Sequence, residues 1–223
     1  MVIPNQVFIG CPWETVRPKY ERLIGKFKKK YPLSFVIVGR ANDQKAEDLL
    51  TIIKNKLFNS SCAIFDASGG NANVSLEYGM AEVKPVHSFI YISQHQKARD
   101  SKSDAAIISD LAGKRRNDYK QSKGLQRLLS QFAKEHSYTK RFETFLKKKC
   151  KRLKRGNKKS FRALALKMIH YLDEKDSVRR PDIVEELKGQ GYTIKEVEDC
   201  IKKLHTSSLI VCTVGRDSNV SIG

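Results

Sequence analysis

Asp66, Ser68, Asn71, Asn73 and Glu77 crowd into one stretch, Phe65–Glu82, FDASGGNANVSLEYGMAE. Two carboxylates, a hydroxyl, two carboxamides and a Gly69-Gly70 pair are the groups that hold a sugar or phosphate. A carboxylate beside them can also meet a positive charge that develops during reaction. The elements that must position them read directly. Cys62-Ala63-Ile64-Phe65 is a buried strand stopped by Asp66. Ser68-Gly69-Gly70-Asn71 tolerate positive φ and offer free backbone N–H groups. Asn73 is expected to cap a short helix whose apolar positions are Val74, Leu76, Met80 and Ala81. Glu77 lies one turn beyond Asn73 on about the same face. That puts a carboxylate just outside the carboxyl end of a strand, where open α/β sheets bind ligands. A capping Asn with a solvated Glu behind it is the plainer account of the same residues.

The stretch resembles the D-x-[ST]-G-x-N-P-N-V-x-x-E-L-G-x-A signature of the nucleoside 2-deoxyribosyltransferase-like and TIR-like group, which cleaves or transfers N-glycosidic bonds. Asp66, Ser68, Gly69, Asn71, Asn73, Val74, Glu77, Gly79 and Ala81 fall on that pattern, with Ala72 for the usual Pro and Tyr78 for the usual Leu. The resemblance implies a flavodoxin- or Rossmann-like parallel sheet and a catalytic role for Glu77.

Composition bounds the partners. The 223 residues carry a formal net charge of +19. Such an excess calls for a polyanion, nucleic acid before an anionic membrane surface. Cys11, Cys62, Cys150, Cys200 and Cys212 are scattered without CxxC spacing, so neither a disulfide scaffold nor a zinc site is expected, and a reducing cytoplasm fits. The five histidines show no ligand spacing, and no metal or cofactor is expected. Met1-Val2-Ile3-Pro4 leads into a strand without the pattern of a signal peptide, and no apolar run approaches membrane-spanning length.

In chain order, Gln6–Gly10 is a short strand broken by Cys11-Pro12-Trp13, and a helix follows through Tyr20, Leu23, Ile24 and Phe27 to Lys28-Lys29-Lys30. Gly10 would let the backbone approach a ligand. Trp13 could stack on a base or simply pack, and Glu14 could meet ligand hydroxyls or favour the helix start. Leu33–Val38 is a second strand ending near Arg40 and Asp43, Ala46–Phe58 a helix, and His87–Ile92 a fourth strand after Cys62–Phe65. This alternation means a parallel sheet with right-handed crossovers. Ile107–Gly113 with Asn117-Asp118-Tyr119 resembles a segment that closes over the pocket in TIR-like proteins. Residues 1–135 are thus expected to form the nucleotide-binding domain.

Residues 136–159 read as a basic helix and linker. Lys147, Lys148, Lys149, Lys151, Arg152, Lys154 and Arg155 repel one another unless an external anion is present, so they are candidate phosphate contacts as well as linker. Residues 160–223 give helices around Phe161–Leu172 and Pro181–Leu187, a third capped by Thr193, and a hairpin of Leu209–Val214 with Asn219–Ile222. Three helices and a terminal hairpin resemble a winged helix, a module that reads DNA or contacts protein. Lys195, Lys202, Lys203, His205 and Arg216 could meet phosphates, although Glu196, Glu198 and Asp199 share the third helix.

Cleaving an anomeric carbon from a base nitrogen passes through an oxocarbenium-like state that one buried carboxylate can stabilise or attack. Glu77 is the candidate, Asp66 would orient the site or hydrogen-bond the sugar, and Gly10, Trp13, Asp43, Ser68, Gly69, Asn71 and Asn73 are the candidate substrate contacts. A neutral base needs a general acid, for which Asp43 and Asp66 are the candidates. Nicotinamide needs none, which tilts the substrate toward NAD or a related nucleotide. A domain of this kind beside a basic linker and a winged helix is similar to effectors of bacterial antiphage systems, including retron-type ones. That resemblance implies a toxin-like N-glycosidase controlled by nucleic acid, such as a reverse-transcribed DNA/RNA with its polymerase, and leaves a homo-oligomer open. The alternative is a non-enzymatic, nucleotide-sensing DNA-binding regulator.

Overall fold

The computed structural model describes residues 2–39, 49–94, 116–151, 155–175, 177–213 and 218–223. They form two compact units, one of Met1–Gly25 with Phe35–Phe132 and one of Lys26–Ser34 with Ala133–Gly223.

The first unit is an α/β sheet. Its strands are β1 (Ile3–Gly10), β2 (Ser34–Val36), β3 (Ser60–Asp66), β4 (Ser88–Ser93) and β5 (Arg116–Tyr119), in the order β2-β1-β3-β4-β5. The β1/β3, β3/β4 and β4/β5 pairs are parallel, with Gly10 opposite Phe65, Asp66 opposite Tyr91 and Ser93 opposite Tyr119. This is the flavodoxin-like order, and the direction in which strands are added reverses between β1 and β3. Helices α1 (Arg17–Phe27), α2 (Leu49–Phe58) and α3 (Ala72–Val83) connect the strands, and α4 (Ser122–Glu135) follows β5. Phe8, Leu57, Ala63, Phe65, Val74, Tyr78 and Ala81 make one buried cluster, in which the Phe65 and Tyr78 rings meet edge to face at 5.4 Å. Continuous buried runs in β1 and β3 are what a sheet covered on both faces demands.

Several boundaries differ from the pattern-based expectation. β1 starts at Ile3 rather than Gln6, because Ile3 pairs with Ser60 and its N–H donates to the Asn59 carbonyl at 2.7 Å, ahead of a register shift before Val7. β2, an edge strand, keeps only Ser34–Val36 of the expected Leu33–Val38. Asn117-Asp118-Tyr119 does not belong to a closing segment: it is a fifth parallel strand, beside β4. It lacks an apolar run, and only Tyr119 is buried. Ile107–Gly113 lies outside the described residues.

The second unit holds α5 (Ser137–Lys149), α6 (Arg155–Lys175), α7 (Arg180–Gly189) and α8 (Ile194–Thr206). A three-stranded antiparallel sheet accompanies them, made of β6 (Val178–Arg179), β7 (Ile210–Cys212) and β8 (Asn219–Ile222) in the order β6-β8-β7. α5 is amphipathic and buries Tyr138, Phe142, Phe145 and Leu146. α8 opens with a capping box between Thr193 and Glu196 and buries Val197, Cys200, Ile201 and Leu204. No helix among the described residues is long and apolar enough to cross a membrane.

Candidate functional site

The carboxyl ends of β1 and β3, at the point where the strand order reverses, carry the expected residues. After β3 the chain turns through Gly69 at φ 77° and Gly70 at φ 58°, a conformation that disfavours any side chain with a β-carbon. The helix cap is Asn71 rather than Asn73. Asn71 Oδ1 accepts hydrogen bonds from the backbone N–H groups of Asn73 at 3.0 Å and Val74 at 3.3 Å. The two positive-φ glycines complete the turn earlier than the apolar spacing implies, so Asn71 is the residue left extended.

Asp66 lies beneath this turn and is fully buried. Its Oδ2 accepts from the hydroxyls of Tyr20 at 3.0 Å and Tyr119 at 2.8 Å, and its Oδ1 accepts from the Ser68 backbone N–H at 3.1 Å. Burial pushes the Asp66 carboxyl above the usual range, while these hydrogen bonds pull it back. Ser68, equally buried, accepts from the Ser93 N–H at 2.8 Å. Asp66 and Ser68 thus tie the β3 loop to α1, β4 and β5. Both Asp66 oxygens are taken up by protein donors, which leaves the carboxylate committed within the fold rather than to a sugar.

Glu77 sits on the inward face of α3 and is 8% exposed. Its Oε2 is buried and has no hydrogen-bond partner among the described residues. Burial raises its pKa from 4.5 to about 7. The carboxylate lies against Gly10, in the space where a β-carbon would stand, and a β-carbon there would also meet Phe65 Cδ1 at 2.8 Å. Gly10, expected to admit a ligand, instead admits the Glu77 side chain. Cys11, next in the chain, is buried too, and desolvation together with the Asp66 and Glu77 charges pushes its thiol far up.

A cleft of about 510 Å³ opens beside these residues. Pro12, Trp13, Glu14 and Thr15 line it from the β1 side, Ser68, Gly69, Asn71 and Asn73 from the β3 side, and Leu49 from α2. Trp13 is half-buried, with the Arg17 guanidinium 5.4 Å from its ring centre. Arg17 also pairs with Glu21 at 2.6 Å. Glu77 is not one of the lining residues; it stands one helical turn along α3 from Asn73, which is. Arg40 and Asp43 lie outside the described residues. Among the described residues no group of three or more His, Cys, Asp or Glu could hold a metal ion. Sequence reasoning missed Tyr20 and Tyr119, for which the only signal was a buried Asp in need of donors.

The candidate phosphate contacts fall in the second unit. Lys147, Lys148, Lys149 and Lys151 are exposed, as is Lys202. Lys203 is committed: it pairs with Asp199 and lies 5.2 Å from the Phe161 ring centre. Arg155 begins α6, while Arg152, Lys154 and Arg216 lie outside the described residues.

No family model matches the chain, and no curated protein matches it. Among solved structures it is similar to the TIR domains of the activated Roq1 resistosome that directly recognizes the pathogen effector XopQ. The identity is 10% and the TM-score 0.42, over 57% of this chain and 99% of that one. It is also similar to a conserved protein from Enterococcus faecalis V583, at 12% identity and TM-score 0.40 over 57% of this chain and 98% of that one. The fold class stands on the strand order and registers described above.

Proposed function

We propose that the first unit is an N-glycosidase acting on NAD or a (deoxy)nucleotide, with Glu77 as the catalytic carboxylate. The observation that carries this reading is a buried carboxylate oxygen without a partner among the described residues, on the helix whose Asn73 lines a cleft of about 510 Å³ at the reversal point of the sheet. Buried polar atoms are nearly always paired, so an orphan beside a cleft marks a place where a ligand completes the pairing. A ribose hydroxyl would supply the missing donor.

With NAD, the ionised Glu77 faces the anomeric carbon as the C–N bond to nicotinamide breaks. It stabilises the oxocarbenium-like state or forms a covalent ester, and water then releases ADP-ribose and a proton. Nicotinamide departs neutral, since its nitrogen was already cationic, and needs no general acid. Trp13 would face a base or the nicotinamide, with Asn73 and the Gly69 backbone near sugar or phosphate oxygens. Asp66 is a positioning residue.

The second unit, a winged helix on this reading, and the cationic segment before it would hold nucleic acid that controls the enzyme. The whole chain would then be a toxin-like effector of antiphage defence. The net charge of +19 supports the polyanion partner. The deciding experiment incubates purified wild type and Glu77→Gln with NAD, ATP and deoxynucleosides and follows base release. Release by wild type and none by the variant is expected; equal turnover by both would remove Glu77 from the chemistry. A second reading, a nucleotide sensor without turnover, draws on one observation: Glu77 is not among the residues that line the cleft. It predicts saturable nucleotide binding by wild type with no base released.

A further inference from the structure

Charge in the second unit is divided between its helices. α5 carries Lys140, Arg141, Lys147, Lys148 and Lys149 against Glu143 alone. Lys151, Lys158 and Lys159 continue the exposed run up to the first turns of α6. None of Lys147, Lys148, Lys149, Lys151, Lys158 and Lys159 has an acidic partner among the described residues. α8, the helix that a winged-helix reader would lay in the major groove, is different. Its Lys195, Lys202 and Lys203 are matched by Glu196, Glu198 and Asp199. Asp199 holds Lys203, Glu198 holds Arg180, and Glu196 closes the capping box. α7 adds Asp182, Glu185 and Glu186 against Arg180 and Lys188.

Between α5 and α6 lies a cleft of about 360 Å³ whose walls are Lys147, Lys158 and Arg162 and whose floor is Leu146 and Cys150. Arg162 joins three segments. It donates to Glu143 Oε1 at 2.6 Å on α5 and, from α6, to the Lys30 carbonyl at 3.0 Å. That hydrogen bond brings the exposed Lys28-Lys29-Lys30 run, distant in sequence, beside the cleft. Lys28 is held by Glu174 at 3.4 Å, while Lys29 and Lys30 are exposed without acidic partners among the described residues, the Lys30 ammonium 5.4 Å from the Tyr31 ring centre.

We propose that the second unit grips duplex nucleic acid by its backbone phosphates on this surface, built from α5, the start of α6 and Lys29-Lys30, and that α8 reads no bases. The proposal rests on the nucleic-acid half of the function proposed above. Phosphate contacts position a duplex without reading it, and cations free of acidic partners are what counterion release requires. The surface lacks the apolar face that an inserted amphipathic helix needs: the apolar residues of α5 are buried within the protein, and among the described residues none of the exposed large hydrophobics lies on α5 or α6.

The test is fluorescence anisotropy of the full chain with labelled duplexes of unrelated sequence, over a salt series. Wild type should bind all of them alike; no binding by wild type would overturn the nucleic-acid reading itself. Lys147→Gln/Lys148→Gln/Lys149→Gln/Lys151→Gln should lower the slope of log K against log salt by roughly two to four, at about 0.9 for each phosphate that is no longer neutralised. Lys29→Gln/Lys30→Gln should lower it by roughly one to two. Lys195→Gln/Lys202→Gln/Lys203→Gln should stay within about twofold of wild type in affinity. Circular dichroism and a melting curve establish that each variant is folded. Normal binding by the first set, collapse of binding in the α8 set, or one sequence preferred tenfold would each overturn the assignment. So would tighter binding to phosphatidylserine vesicles than to duplex.

Discussion

The Glu77 carboxylate occupies the volume that a β-carbon on Gly10 would need. One residue ends β1 and the other faces inward from α3, so the absence of a side chain on the strand is what lets the carboxylate be buried at the sheet rim. Gly10→Ala should therefore push Glu77 outward or strain the strand against Phe65. Overpacking of this kind costs about 1–3 kcal/mol. Urea melts and NAD turnover read both effects, with base release expected to fall at least tenfold. Wild-type stability together with wild-type turnover would show that the close approach constrains nothing.

Burying Glu77 also couples stability to pH. Its pKa rises from 4.5 to about 7 on folding. Between those values the native state holds a proton that the unfolded chain has lost, so stability declines as pH rises from about 4.5 to 7 and levels off above. Ionised Glu77 destabilises the fold by at most about 3 kcal/mol, at 1.36 kcal/mol per unit. Glu77→Gln carries no such penalty. Its melting temperature should exceed that of wild type at pH 8, and the gap should close toward pH 4.5. A gap independent of pH would mean that the carboxyl titrates normally.

The same titration discriminates between substrates. Nicotinamide leaves without an acid, so NAD cleavage needs the ionised carboxylate, and kcat/KM should climb with an apparent pKa near 7. A neutral base needs a protonated general acid in addition to the ionised Glu77, so release from a deoxynucleoside should pass through a maximum and fall again as that acid ionises. Profiles of kcat/KM from pH 5 to 9 decide this. A NAD profile that falls with pH would reverse the assigned role.

The strand–loop–helix around Glu77 is legible in the sequence because an apolar run, two glycines and a helical spacing are local signals. The cap falls two residues before the expected Asn73, since Asn71 and Asn73 are equally good oxygens and only the positive φ of Gly69 and Gly70 decides between them. β5 is not legible: Arg116-Asn117-Asp118-Tyr119 gains strand character from pairing with β4, not from its own residues. The surroundings of Asp66 are also hidden, because Tyr20 and Tyr119 reach it from 46 and 53 residues away. Periodicity carries no information about such meetings. In the second unit, the capping box of α8 can be seen in Thr193, whereas the meeting of Lys30 with Arg162 across 132 residues cannot.

The clasp around Asp66 gives the last prediction. Tyr20 and Tyr119 donate to one oxygen, Oδ2, from opposite ends of the unit's sequence. Removing one hydroxyl takes a charge-assisted hydrogen bond from a fully buried carboxyl, which costs about 1.5–3 kcal/mol. The remaining hydroxyl then becomes the sole side-chain phenol on that oxygen, and its removal leaves the charge poorly solvated. Tyr20→Phe and Tyr119→Phe should accordingly be more than additive in a double-mutant cycle, with a coupling of roughly 0.5–3 kcal/mol. Because Tyr119 also pins β5 to the loop that carries Gly69 and Asn71, Tyr119→Phe should raise KM for the nucleotide more than it lowers kcat. Strict additivity would mean that the two hydroxyls act independently, and a loss confined to kcat would move Asp66 from positioning the loop to the reaction itself.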